Sequence, residues 1–130
     1  MMQKTISKKV LPGAVIIEEG NTIVCQFRNF VRIDEAEAQT IVDEITKLVQ
    51  YMSFGLLTDA RELFFITSEA RKIFGAQNHR NIKANAILVA SRLQRDMANL
   101  YFTFAKPQIK TKMFSSEDEA RTWLELQLIK

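Results

Sequence analysis

Few side chains in this sequence carry reactive chemistry, and their surroundings decide what that chemistry can be. There is one cysteine, Cys25, and one histidine, His79. A nucleophilic thiol needs a base beside it, and two residues so far apart in sequence can meet only through the fold. Cys25 stands in Ile23-Val24-Cys25-Gln26-Phe27, an alternating run that reads as a strand with Ile23, Cys25 and Phe27 on one side. That context predicts a small buried hydrophobe. His79 lies in a polar stretch. One Cys and one His cannot supply the four nitrogen and sulfur ligands of a closed zinc site, so no metal is expected. A lone cysteine also excludes an intrachain disulfide.

Asp59 is the next candidate. It closes the short apolar run Leu56-Leu57-Thr58-Asp59. An acid at the C-terminal end of a strand lies where open α/β sheets bind ligands. The same carboxylate can instead bond Arg61, Thr67 or a nearby backbone N–H. No partner acid or histidine accompanies it in a motif, so general acid–base catalysis is not supported. The expectation is a protein with no catalytic residues and no cofactor.

The aromatic residues offer binding rather than chemistry. In Arg92–Ala105, Leu93, Met97, Leu100 and Phe104 fall at helical spacing, and Ala98, Tyr101 and Phe102 add apolar side chains beyond that stripe. Three roles are open for such a helix: core packing, a subunit interface, or a wall of a hydrophobic ligand pocket. Phe64 and Phe65, in a predicted loop before a short helix, fit the same pocket or interface.

Charge narrows the partners. Lys and Arg number 18 and Asp and Glu 15, a net charge of +3. The excess is concentrated: Arg71–Lys112 holds nine basic residues against one acidic residue, Asp96. Such a stretch is either an anion-binding face, fit for the head group of an amphipathic ligand, or a set of charges scattered around helices and loops. No Lys/Arg run exceeds two residues and no aromatic–basic interleaving occurs, so nucleic acid is not an expected partner. No apolar run approaches the ~20 residues that span a bilayer, which argues against membrane insertion. The first residues carry Lys4, Lys8 and Lys9 but no apolar stretch of signal-peptide length, so a cytoplasmic location is expected.

The elements that position these residues follow from periodicity and breakers. Residues 1–12 read as an arm or a first edge strand, ended by Pro12-Gly13. Ala14–Glu18 and Thr22–Arg28 form a hairpin about Gly20-Asn21. Asp34 caps a helix with Glu35 and Glu37 in its first turn, and Ile41, Ile45, Leu48 and Met52 carry its apolar stripe to about Met52. The strand Leu56–Asp59 follows. Thr67 caps a short helix, Ser68–Phe74, with Gly75 at its end. Gln77–Asn85 reads as a polar loop. Ala86–Ala90 is a continuous apolar run, as in a strand covered on both faces. After the aromatic helix, Lys106-Pro107 is a break and Gln108–Phe114 a strand. Ser116 with Glu119, or Ser115 with Asp118, fits a capping box for a last helix bearing Ala120, Trp123, Leu124 and Leu128.

The resulting order, β-β-α-β-α-β-α-β-α, predicts a mixed, mostly parallel sheet with helices packed against it. At 130 residues, 47 % of them hydrophobic, the chain reads as one domain over 1–130.

Three stretches give this pattern a family likeness: Leu56-Leu57-Thr58-Asp59-Ala60-Arg61, Ala84–Val89, and Met113–Leu124 with its strand running into a capped helix. They resemble the STAS fold of anti-sigma-factor antagonists, called SpoIIAA-like, and the related SEC14-like grouping. The resemblance covers about Ala14 to Leu128 and implies fold more strongly than activity. It implies a non-catalytic regulatory or protein-interaction module, expected to self-associate as a homodimer and to bind a protein partner. The SEC14-like kinship implies the alternative, a carrier of a hydrophobic or amphipathic small ligand.

In the antagonists, a serine at the helix start after the third strand is phosphorylated. The matching stretch is Ile66-Thr67-Ser68-Glu69, which makes Ser68 the candidate phosphoacceptor and Thr67 the hydroxyl before it. A phosphate there would meet the free N–H groups of a helix N-terminus. Ile66 replaces the family's acid and Glu69 its glycine, and Glu69 would repel an incoming phosphate. The other reading makes Thr67 a helix cap and Ser68 an ordinary first-turn residue.

Overall fold

The computed structural model describes residues 6–77, 80–96, 99 and 108–129. Three strands open the chain: β1 (Ile6–Leu11), β2 (Ala14–Glu19) and β3 (Thr22–Phe27). Their antiparallel pairing leaves two residues in each turn, Pro12-Gly13 and Gly20-Asn21. Gly13 (φ 79°) and Gly20 (φ 61°) take the left-handed conformations these turns demand, where glycine meets no Cβ penalty. The residues before the Pro-Gly break thus form an edge strand from Ile6 onward.

The next elements are β4 (Val31–Ile33), α1 (Glu35–Leu48), β5 (Phe54–Asp59), β6 (Leu63–Ile66) and α2 (Ser68–Gly75). After them come β7 (Ile82–Leu88), a helical stretch α3 described over 92–96, β8 (Thr111–Phe114) and α4 (Glu117–Ile129). Six strands form one sheet in the order β1-β2-β3-β5-β7-β8. The β3–β5, β5–β7 and β7–β8 pairs are parallel. The mixed, mostly parallel sheet with packed helices expected from the sequence is therefore the fold.

Several details differ from the sequence reading. β4 and β6 form a separate two-stranded parallel sheet, so Phe64 and Phe65 lie on a strand, not in a loop. Three or four residues carry too little alternation to announce a strand. α1 ends at Leu48 with Val49 as its cap, and Met52 is exposed rather than part of the stripe. β7 starts at Ile82, inside the predicted polar loop: Ile82 pairs with Phe54 and packs in the α1 layer, the register then shifts, and Ala84, Ala86 and Leu88 are buried in the α4 layer while Asn85 and Ile87 between them are only partly covered. Beyond that shift the strand is thus one-sided, not covered equally on both faces. β8 begins only at Thr111, three residues later than the periodicity indicated. Leu93 is 69 % exposed, so it is no part of an apolar core stripe. Met97, Leu100 and Phe104 lie outside the described residues.

The sheet divides the core. On one face, Ile16, Ile23, Cys25, Phe27 and Leu56 pack with Ile41 and Ile45 of α1 and Ala70 of α2. On the other, Val24, Leu57, Ala84, Ala86 and Leu88 pack with Ala120 and Leu124 of α4. The alternation Ile23-Cys25-Phe27 against Val24 assigns neighbouring residues of β3 to opposite layers, as a pleated strand must. Helix starts are built as the sequence indicates. Asp34 Oδ1 accepts from Glu37 N (3.0 Å) while Glu37 Oε1 accepts from Asp34 N (3.1 Å), a full capping box. At α4, Ser116 Oγ accepts from Glu119 N at 3.3 Å.

Candidate functional site

Asp59 lies at the C-terminal end of β5 and is only 6 % exposed. Its carboxylate is occupied. Oδ1 accepts from Arg61 N (3.1 Å) and Nε (3.0 Å), and Oδ2 from Arg61 Nη2 (2.8 Å) and, at 3.5 Å, from Gln26 Nε2. Burial pushes this carboxyl up, but the bonds and charge of Arg61, with Gln26, outweigh burial and hold it below its ordinary value. Arg61 is held above its own ordinary value, first by its bond to Asp59. The pairing extends outward. Arg61 reaches Glu117 (3.4 Å), Glu117 takes Arg121 Nε (2.9 Å), and Arg121 Nη2 reaches Glu19 (3.3 Å). This edge ties β2, β5 and α4 together.

Cys25 is buried on β3 with its thiol pushed up to about 12, by desolvation first and by the Asp59 charge second. A thiol so protonated at neutral pH is a poor nucleophile. His79 lies outside the described residues.

At the start of α2, Thr67 Oγ1 accepts from Ala70 N at 3.1 Å, so Thr67 is the N-cap. Ser68 is the first helical residue, and its Oγ donates to Glu69 Oε2 at 3.1 Å. Thr67 borders a shallow cleft with Asp34, Glu35 and Glu69. A phosphate at this turn would meet helix N–H groups on one side and three carboxylates on the other.

The more open feature lies beneath β6 and α2. α1 and α2 cover the β2–β3–β5 side of their sheet face. Farther across, Thr58, Asn85, Ile87 and Thr111 border a cavity of about 190 Å³. Cys25, Phe27 and Leu56 line it from the core, Leu63–Ile66 and Phe74 from above, and Arg71, Gln77 and Gln94 from the helices and their ends. The floor hydroxyls and the Asn85 carbonyl are partnered: Thr58 Oγ1 donates to Asn85 Oδ1 (2.8 Å) and Thr111 Oγ1 to Ile109 O (2.7 Å). Gln94 clamps the rim, donating to Ala60 O (3.1 Å) and Arg61 O (3.2 Å) while accepting from Ala90 N (2.7 Å). Gln77 Nε2 is different, a buried amide nitrogen with no acceptor among the described residues.

The lip of this cavity is aromatic. Phe64 is 72 % exposed, and Arg32 sits 5.1 Å from the ring centre of the half-covered Phe65. On the turn into β4, Asn29 (φ 63°) and Phe30 (φ 52°) are both left-handed, and Phe30 is 68 % exposed. Glu62 Oε1 holds Asn29 N at 2.8 Å. A bulky residue in this conformation costs on the order of 1–2 kcal/mol.

The structure thus brings Phe64 and Phe65 to the cavity, keeps Asp59 in its ion pairs, and sets Thr67 and Ser68 at the far end of the β6–α2 turn. Tyr101 and Phe102 lie outside the described residues. Phe30, Gln77 and Gln94 were not singled out in the sequence. Only Phe30 had a local signal, since Asn29 before it is a residue that tolerates positive φ. The basic residues of 71–112 are dispersed: Lys83 donates to Arg80 O, Lys110 to Gln127, and Lys112 sits over Phe114.

Solved structures share this architecture at low identity. A protein of the DUF3478 family with a SpoIIAA-like fold, from Shewanella loihica PV-4, is 14 % identical, with 92 % of each chain covered and a TM-score of 0.55. An anti-sigma factor antagonist from Mycobacterium paratuberculosis is 12 % identical, with 95 % of each chain covered and a TM-score of 0.50. The fold is therefore SpoIIAA-like, of the STAS type. A search of curated proteins gives no match. No described helix is long and apolar enough to cross a membrane. The model of one family, the domain of unknown function DUF7793, matches residues 15–127, and the chain belongs to that family.

Proposed function

We propose that this chain is a non-catalytic regulatory module of one domain that works by protein contact, with the β4–β6 unit as its contact surface and a second copy of itself as one partner. The observation that carries this reading is the placement of Phe30 and Phe64. Both are large, apolar and more than two-thirds exposed, Phe64 on β6 and Phe30 on the turn that leads into its partner strand β4. Exposed aromatics of this kind are the usual anchors of protein interfaces. The strain at Phe30 supports the same reading, because an unfavourable backbone retained at an exposed aromatic argues for a role beyond packing. The anti-sigma factor antagonist among the structural neighbours gives the regulatory reading its precedent.

The non-catalytic part rests on what occupies the reactive groups. Arg61 saturates Asp59, and burial holds the Cys25 thiol protonated. If the module is switched by phosphorylation, Ser68 is the acceptor we assign, since the Thr67 hydroxyl serves as the cap. We place the protein in the cytoplasm.

Photo-cross-linking from a benzophenone side chain at position 64 tests the contact surface. The expected product is an adduct of twice 15.0 kDa. Labelling confined to the single chain would contradict it.

A second reading has its own observation. The cavity of about 190 Å³, with its apolar lining, favours a small hydrophobic or amphipathic ligand carried by the same fold. The two readings are compatible, because Phe64 and Phe65 border both the contact surface and the cavity.

A further inference from the structure

We infer that the cavity between the sheet and the β6–α2 segment is built for a small monocarboxylate, with an apolar body about the size of a benzene ring on a short arm. The inference rests on the carrier reading above and adds the class of ligand.

Size comes first. An apolar cavity of roughly 150 Å³ holds benzene. A cavity of about 190 Å³ leaves room for a few more heavy atoms, and Leu56, Ile87, Phe74 and Val89 would surround an apolar body. Polarity comes second. The floor hydroxyls and the Asn85 carbonyl already bond to one another or to backbone. Gln77 Nε2 donates to nothing among the described residues, although it is buried at the cavity wall. A buried donor without an acceptor is unfavourable, so a ligand that supplies an acceptor recovers that loss on binding. Charge comes third. Among the described lining residues the only charged one is Arg71, and none is acidic. A guanidinium is always positive and favours a carboxylate over an ammonium group in a low-dielectric site. Shape, donor and field therefore select the same molecule.

The test is an NMR titration of the full chain, following backbone amides of Thr58, Asn85 and Ile87 and the side-chain amide of Gln77. Three probes share one body: phenylacetate, ethylbenzene and phenethylamine. Phenylacetate is expected to bind tightest and phenethylamine weakest. Gln77→Leu should weaken phenylacetate about fivefold and leave ethylbenzene unchanged, the fold-change of one lost hydrogen bond. Gln77→Glu should reverse the order, favouring phenethylamine over phenylacetate. If ethylbenzene binds, but phenethylamine matches phenylacetate or Gln77→Leu leaves phenylacetate unchanged, the ligand class is overturned and the carrier reading stands. If none of the three probes moves these amides, both are overturned.

Discussion

The two faces of the sheet are filled differently. Against α4 the sheet presents small residues. Ala84, Ala86 and Ala120 are fully buried, and Gly55 lies so near the helix that an added Cβ would sit 3.2 Å from Leu124 Cδ2. Phe114 and Trp123 close one side with ring centres 5.6 Å apart, and the Asp59–Arg61–Glu117–Arg121 pairs close the edge. Against β6 and α2 the sheet presents Thr58, Asn85, Ile87 and Thr111, and space is left between the layers. Tight packing and satisfied charges mark the first face as the one that holds the fold together. A cavity, an orphan amide donor and an exposed aromatic lip distinguish the second, the face we propose meets other molecules.

Equal truncations on the two faces should have unequal costs. Leu124→Ala should destabilise by about 2–5 kcal/mol in urea unfolding, since its surroundings cannot collapse onto the gap. Ile87→Ala, already beside open space and partly exposed, should cost about 1 kcal/mol. Comparable losses would erase the distinction.

The ion-paired edge gives the next effect. Asp59→Ala should cost about 1–3 kcal/mol, because Arg61 and Gln26 lose their acceptor. The pH dependence has a definite sign. The folded carboxyl is held below its ordinary 3.8, so the pair's contribution is complete above that pH and is lost as pH falls through the lowered folded value. Asp59→Asn should flatten the acid limb of a thermal melt series run from pH 6 downward, and an unchanged limb would count against the pair. Smaller still is Thr67→Ala, about 1 kcal/mol, as a helix cap is lost. At the bottom of the scale, Phe30→Gly should leave stability unchanged or raise it by up to about 1 kcal/mol, as left-handed strain is relieved in an exposed residue. The same variant should weaken association, and a stable variant that associates normally would remove Phe30 from the contact surface.

The sequence was most legible where periodicity is long or capping is local. α1, with Asp34 and Glu37, and the Ile23-Cys25-Phe27 face of β3 were readable because each residue's role depends on near neighbours. β4 and β6 were not, because each is a strand only by virtue of the other, about 30 residues away in sequence. The N-terminal half of β7 was missed because Lys83 and Asn85 set polar letters at alternate positions, which imitate a loop, and because the register shifts beside Lys83. Asp59 could be placed at a sheet edge, but Arg61 as its partner was one of several choices until the turn after β5 folded the guanidinium back. Nothing local marks Gln77. Its importance lies in what surrounds it, and that is assembled from β3, β5, β7, β8 and α2.

We propose that the β4–β6 face, not the α4 face, meets other molecules. Sedimentation equilibrium of three proteins tests it most directly: the wild type, Phe64→Asp, and Leu126→Asp on α4, where Leu126 is also half exposed. A dimer is expected for the wild type and for Leu126→Asp, and a folded monomer for Phe64→Asp. A monomeric wild type, or a dimer that Leu126→Asp dissociates while Phe64→Asp leaves it intact, would contradict it.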